Sequence, residues 1–368
     1  MKTKFKTSLL LILIFLQILF FSCDSNKNLS ENQHHSANPS NPNIQYTGRI
    51  DFSNPEAPVL FWPGSSIVAN FEGTSIKLKL NDSKGENYFN VFIDNNTDKP
   101  VILDCVQGYS VYNIASGLKD TTHKIEIFKR TEDFQGATTF LGFVLDSNKT
   151  LAAPPEKPTR RIEFYGNSIT VGMGNECDIN AEDDDNSKKN NYLAYGAITA
   201  KNLNAEYVCI AKSGIGLLIS WFDLIMPEMW DRLDPSNKNS KWDFSQWIPH
   251  VVVVNLFQND SWLINNLNPV PNEEQIKSAY IDFIRSIRSK YPDAHIFCTL
   301  GSMDATKEGK PWPGYVTDAV NRLNNDYNDL CVHNYTFAFD ETGKHPRVEQ
   351  HIKMATKLTE FIIKKMEW

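Results

Sequence analysis

Four short segments carry residue types that can do chemistry together. Ser168 stands in G-N-S-I-T, Gly214 in A-K-S-G-I-G, Asn259 in N-L-F-Q-N-D, and His345 in T-G-K-H-P. A serine becomes a nucleophile when a base takes its proton, and a histidine is the side chain suited to that exchange near neutral pH. The backbone N–H groups of Ser168 and Gly214 and the carboxamide of Asn259 are donors for a developing oxyanion. Singly, each is weak: a Ser at a strand-to-helix turn caps the helix, an Asn braces a loop, and a His is a satisfied core or surface residue. Together, each follows a different apolar run. That placement points to acyl transfer, with Ser168 and His345 as the catalytic pair and Ser168, Gly214 and Asn259 as the oxyanion hole.

The elements that position them are legible from periodicity. The apolar runs at 162–165, 207–210, 251–256, 295–300 and 331–337 alternate with helical segments, in one of which Ile276, Tyr280, Phe283, Ile284 and Ile287 recur at spacings of three and four. Such alternation predicts a parallel sheet covered by helices on both faces, with the ligand site beyond the carboxyl ends of the strands. The preceding half reads differently. Ile76, Leu78 and Leu80 alternate with Lys77 and Lys79, and Ile125 and Ile127 with Lys124 and Glu126. Period-two segments with frequent turns predict a β-sandwich over 46–151. A Pro-rich linker at 152–158 leads into the α/β domain, 159–368.

Lys2, Lys4 and Lys6 precede the apolar run Leu9–Phe21, followed by Ser22 and Cys23. That run is too short to span a bilayer and suits a signal peptide over 1–22. A small residue directly before Cys resembles a bacterial lipoprotein cleavage site, with Cys23 lipidated and the chain held on a membrane. Residues 23–45, rich in Asn, Ser, Pro and His, read as a tether. The expected location is therefore outside the cytoplasm, as a membrane-anchored lipoprotein facing the periplasm or the cell surface.

Five further cysteines are too sparse for a disulfide framework, and Cys209, Cys298 and Cys331 lie in apolar runs as core residues. The 368 residues are 41% hydrophobic and 22% charged, which excludes a disordered chain. With 37 basic against 44 acidic residues, a nucleic-acid partner is not expected.

The order Ser, Gly, Asn, His resembles the SGNH (GDSL-type) hydrolases, and more closely carbohydrate esterase family 2. The stretches F-Y-G-N-S-I-T-V-G-M-G-N-E, I-A-K-S-G-I-G and W-D-F-S-Q-W-I-P are similar to that family, as are G-R-I-D-F, F-W-P-G-S-S-I-V-A-N-F-E-G-T-S-I and Y-F-N-V-F-I-D in the first half. The resemblance implies an N-terminal jelly roll and a three-layer α/β/α hydrolase domain. It also implies a serine esterase that removes O-acetyl groups from plant cell-wall polysaccharides such as xylan and glucomannan through an acyl-enzyme, with no metal or organic cofactor.

Three departures bear on the site. Asn167 replaces the family's usual Asp, keeping its shape and acceptor oxygen. Phe257 and Gln258 replace Gly and Thr before Asn259, and a Phe there is expected to alter the wall of the site. Thr342 stands three residues before His345, where many relatives place the Asp of a triad. The expectation is a Ser–His dyad supported by a backbone carbonyl, with Asp340 and Glu341 as alternative orienting residues. Trp262 and Trp312, in loops after the third and fourth strands, are candidates for stacking on sugar rings, with core packing the alternative. Trp62 reads as a sandwich-core or domain-interface residue.

A metal-dependent deacetylase lacks the clustered histidines it needs. The rival of another class is a catalytically silent carbohydrate-binding lipoprotein, which the departures at Phe257 and Thr342 motivate. An esterase acting on another carbohydrate O-acetyl ester is the nearer variant.

Overall fold

The computed structural model describes residues 35–341 and 343–368. The expected signal peptide and Cys23 lie outside the described residues. Among the described residues, twelve strands form the first half: β1 (His35–Ala37), β2 (Ile44–Thr47), β3 (Ile50–Asp51), β4 (Val59–Leu60), β5 (Ser66–Gly73), β6 (Ile76–Asp82), β7 (Tyr88–Ile93), β8 (Val101–Asp104), β9 (Gly108–Ala115), β10 (Thr121–Lys129), β11 (Thr138–Leu145) and β12 (Leu151–Ala152). They make two antiparallel sheets, β3-β4-β11-β6-β9 with β1 on β11, and β12-β5-β10-β7-β8 with β2 on β5. Alternation does the work: Ile76, Leu78 and Leu80 of β6 are buried between the sheets while Lys77 and Lys79 reach outward.

One correction concerns the tether. Residues 35–45 supply β1 and the start of β2, and Ala37 and Ile44 are buried in the sandwich core. A two-apolar-residue segment has too little periodicity to announce a strand; the edges it covers create its place.

The second half contains β13 (Arg160–Gly166), β14 (Ala205–Ala211), β15 (Val251–Asn255), β16 (His295–Leu300) and β17 (Val332–Thr336), parallel in the order β14-β13-β15-β16-β17. Its longer helices are α2 (Tyr195–Asn202), α5 (Glu273–Lys290), α6 (Trp312–Asp326) and α7 (Val348–Met366); α1 (Ser168–Val171), α3 (Met226–Met229) and α4 (Gln258–Leu263) are short. The strands are apolar on both faces. Phe164, Val251 and Val253 pack with α2 and α7, whereas Tyr165, Val252 and Val254 pack with α5 and α6. The strand order reverses around β13, so the ends of β13, β14 and β15 open on one crevice. Ser168, Gly214 and Asn259 follow those three strands.

The two halves share a buried polar seam. Arg49, next to β3, donates to Glu163 Oε1 at 2.9 Å, to Tyr165 OH at 2.7 Å and to the Trp230 carbonyl at 2.5 Å. A buried guanidinium so placed costs several kcal/mol if its acceptors are removed, so the seam fixes one docking of sandwich on sheet. Trp62 is at this interface, its indole N–H donating to the Leu233 carbonyl at 2.7 Å.

Candidate active site

The turn after β13 is built for a close reversal. A Cβ on Gly166 would lie 2.0 Å from Thr170 Oγ1, so only glycine lets α1 fold back against the strand end. Asn167 caps α1, its Oδ1 accepting from Ile169 N at 3.1 Å, which is the acceptor role expected of it. The cap leaves Ser168 with its own N–H donating to no acceptor among the described residues.

Ser168 Oγ lies 2.7 Å from His345 Nε2, and His345 Nδ1 lies 2.8 Å from Asp183 Oδ2. A carboxylate only accepts, so Nδ1 carries the ring proton and Nε2 is the acceptor facing the hydroxyl. This is the tautomer a general base needs.

The third position is therefore occupied by a carboxylate that the sequence did not flag, and the expectation of a dyad leaning on a carbonyl is corrected. Asp340 and Glu341 are not the orienting residues either. They line a different pocket with Lys353 and Lys357, and Asp340 N donates to the Ser302 carbonyl.

Asp183 comes from the long loop after α1, and two features hold it there. Arg347 bonds Asp183 Oδ1 and donates also to the carbonyls of Gly174, Ala181 and Asp178, stitching the loop to the start of α7 two residues beyond His345. Gly174 is left-handed at φ +58°, and a Cβ there would press Asp183 at 2.9 Å. Burial disfavours the Asp183 anion, but hydrogen bonds from His345 and Arg347 outweigh it and hold the carboxyl at about 2.

The turn after β14 carries Gly214, the second oxyanion donor expected from the sequence. Gly214 has φ +81°, open to glycine at little cost, and its N–H has no acceptor among the described residues. Asn259 borders it. Its Nδ2 donates to the Ile215 carbonyl at 2.7 Å, and its Oδ1 accepts from the Trp221 indole at 3.1 Å. With the oxygen fixed by Trp221, the second amide hydrogen is left for the cleft. Behind it, buried Asp260 accepts from the N–H groups of Leu217, Leu218 and Ile219, holding the same loop from below.

Ser168, Gly214, Asn259 and His345 line one open cleft of roughly 400 Å³ with Phe134, Met173, Ser213, Trp221, Phe222 and Trp262. Trp262 is 41% exposed and Trp221 62%; Trp312 is only 5% exposed. The stacking candidate Trp312 is thus corrected to a core residue. As the first residue of α6 it packs on Phe257 at 5.2 Å between ring centres. Trp221 takes its place at the cleft. The Phe257 expectation is corrected likewise: the ring is fully buried against Tyr280 and Trp312 and touches no wall of the site. Its backbone at φ +81° keeps the conformation for which a glycine is the ordinary choice.

The carbohydrate esterase 2 N-terminal family matches residues 46–155, and the GDSL-like lipase/acylhydrolase family matches 164–353. The chain is 38% identical over 337 residues to the cellulase/esterase CelE of Acetivibrio thermocellus, covering 89% of this chain and spanning only 40% of that protein. It is 26% identical over 357 residues to an acetylxylan esterase / glucomannan deacetylase of Cellvibrio japonicus, covering 94% and 95%. A solved family two carbohydrate esterase from Clostridium thermocellum, in complex with cellohexaose, superposes with TM-score 0.80 at 35% identity, over 88% of this chain and 99% of that one. Sandwich and hydrolase halves are matched in the same order and nearly end to end, and the chain belongs to carbohydrate esterase family 2 of the GDSL-like acylhydrolases.

Proposed function

We propose that the protein is a carboxylic ester hydrolase that removes O-acetyl groups from plant cell-wall polysaccharides, xylan and glucomannan foremost, through an acetyl-enzyme on Ser168. The observation that carries this reading is the continuous relay from Ser168 through His345 to Asp183, beside N–H groups of Ser168 and Gly214 that meet no acceptor among the described residues. Ser168 Oγ attacks the acetyl carbonyl as His345 Nε2 takes its proton. The carbonyl π pair moves onto oxygen, where the Ser168 and Gly214 N–H groups and the Asn259 amide meet it, each such donor typically worth about 10²–10³ in rate. Collapse breaks the bond to the sugar oxygen, which takes the proton back from His345. A water activated by the same imidazole then releases acetate and restores Ser168.

The choice of a carbohydrate ester is supported by two exposed indoles, Trp221 and Trp262, at the rim of an open cleft, since the apolar faces of sugar rings require flat partners. It is supported also by relatives named acetylxylan esterase / glucomannan deacetylase and by a similar structure that holds cellohexaose. The test is acetate release from acetylated xylan and acetylated glucomannan, with Ser168→Ala in parallel. Release lost in the variant is the expected result. Equal release from both proteins contradicts the reading, and cleavage of an aryl acetate alone moves the natural ester elsewhere.

Export and anchoring through a lipidated Cys23 complete the reading. Radiolabelled fatty acid incorporated by the cells is expected in the protein and absent after Cys23→Ala; equal labelling of both refutes it.

A further inference from the structure

Beyond the relay, a cluster of buried charges lies where the sandwich meets the turn that carries Gly214. The segment after β10, residues 130–135, leaves the sandwich and runs against the α/β domain. Glu132, with no exposed surface, accepts from Ser213 N at 2.6 Å through one oxygen and from Ser213 Oγ at 2.6 Å through the other. Lys189 Nζ lies 3.5 Å from the same carboxylate. Its neighbour Asp133 accepts from Lys212 Nζ at 2.5 Å, and that ammonium sits 3.5 Å from the centre of the Phe134 ring. The two residues that precede Gly214 are therefore both tied to the sandwich. Beyond Gly214 the chain is held from the other side by Asn259 on the Ile215 carbonyl.

The N–H that faces the cleft belongs to the peptide joining Ser213 to Gly214. At a glycine with positive φ the chain itself supplies little stiffness, so the orientation of that N–H depends on what grips its neighbours. A buried carboxylate taking both donors of Ser213 is such a grip, charge-assisted and doubly directional. We infer that Glu132 of the sandwich is a positioning residue for the Gly214 oxyanion donor, and that Phe134, two residues on, is a wall of the substrate cleft. The first half of the chain is then a working part of the active site as well as a separate sandwich. This rests on the reading of Ser168, Gly214 and Asn259 as the acyl-transfer site.

The two residues carry different kinetic signatures. Oxyanion donors act on the transition state, so Glu132→Ala is expected to lower kcat for an aryl acetate about 10–100-fold with KM within about twofold. Glu132→Gln, which keeps an acceptor for one of the two Ser213 bonds, recovers part of the loss. Affinity for a small alkylboronic acid, which forms a tetrahedral adduct on the serine, falls with kcat/KM. Phe134→Ala raises KM for acetylated oligosaccharide by a larger factor than it raises KM for the aryl acetate.

All variants are made in the full chain and compared with the parent and Ser168→Ala. If Glu132→Ala does not fold, Glu132→Gln with Ser213→Ala carries the same test. The inference is overturned if folded Glu132 variants keep parental kcat and boronate affinity, or if kcat holds and only KM rises. An inert parent counts against the acyl-transfer site itself and is told apart on that ground.

Discussion

Replacing Asp183 by Asn is the sharpest perturbation of the relay, because it preserves volume and removes only charge and one acceptor. Asp183 accepts from two directions: one oxygen faces His345 Nδ1 and its backbone N–H, the other faces the Arg347 guanidinium. A carboxamide can satisfy one side. The cation is the stronger donor, so the amide oxygen turns to Arg347 and the NH₂ meets His345 Nδ1. Nδ1 must then accept, which places the ring proton on Nε2 facing Ser168, the wrong tautomer for a base. Restoring the productive tautomer costs about 1–2 kcal/mol, on the scale of one charged hydrogen bond. The imidazolium formed in the transition state also loses an anion in hydrogen-bond contact, up to about 4 kcal/mol at the effective dielectric of a protein surface. Together these correspond to roughly 10³–10⁴ in kcat, the scale found when a triad aspartate is neutralised. Steady-state turnover of an aryl acetate reads the loss, with Asp340→Asn and Glu341→Gln as controls expected within twofold of the parent. An Asp183→Asn enzyme within tenfold of parental kcat refutes the assignment and restores a dyad supported by a backbone carbonyl.

Other perturbations separate the site from the scaffold. Phe257→Gly relieves a left-handed non-glycine residue, worth about 1–2 kcal/mol, but empties a buried ring site, costing roughly 3–5; denaturant unfolding should show a net loss of about 1–4 kcal/mol with kcat unchanged. Trp221→Phe removes the donor that orients Asn259, so kcat should fall about tenfold while circular dichroism and unfolding stay parental. His351 is fully buried, and burial with the nearby His345 charge pushes its pKa down to about 3. The unfolded chain therefore binds this proton at higher pH than the fold does, and stability is intact above about 6.5 and falls by about 1.4 kcal/mol per pH unit below it. Thermal unfolding between pH 8 and 5 should show that slope reduced in His351→Asn, and an unchanged slope places the acid sensitivity elsewhere. Asp183, held at about 2, stays ionised throughout that range, so no acid limb of kcat/KM above pH 4 should come from it.

What could be read from the sequence followed from local pattern. Strand–helix alternation located the ends of β13, β14 and β15, and the residues just past them are Ser168, Gly214 and Asn259. Alternation of Ile76, Leu78 and Leu80 with lysines identified the sandwich. The misses are long-range. Asp183 sits in E-D-D-D, which looks like a solvated loop; only Arg347 and His345, more than 160 residues away, single out one carboxylate of that run. Phe257 occupies a motif position near the site, but its Cβ vector points between α5 and α6, and a motif carries no direction. Trp312 and Trp221 are alike in sequence, and exposure, set by packing of distant elements, separates them. Glu132 lies in another domain from the turn it grips. Periodicity reports one element at a time and is blind to such pairs.

Direct observation of the acetyl-enzyme tests the central claim most closely. Acid quenching during turnover of an aryl acetate, followed by digestion and mass spectrometry, is expected to find a single acetyl group on the peptide carrying Ser168. Its amount should rise in a burst with the first turnover and be absent in Ser168→Ala. An acetyl group on any other residue, or acetate released by Ser168→Ala at the parental rate, contradicts the account.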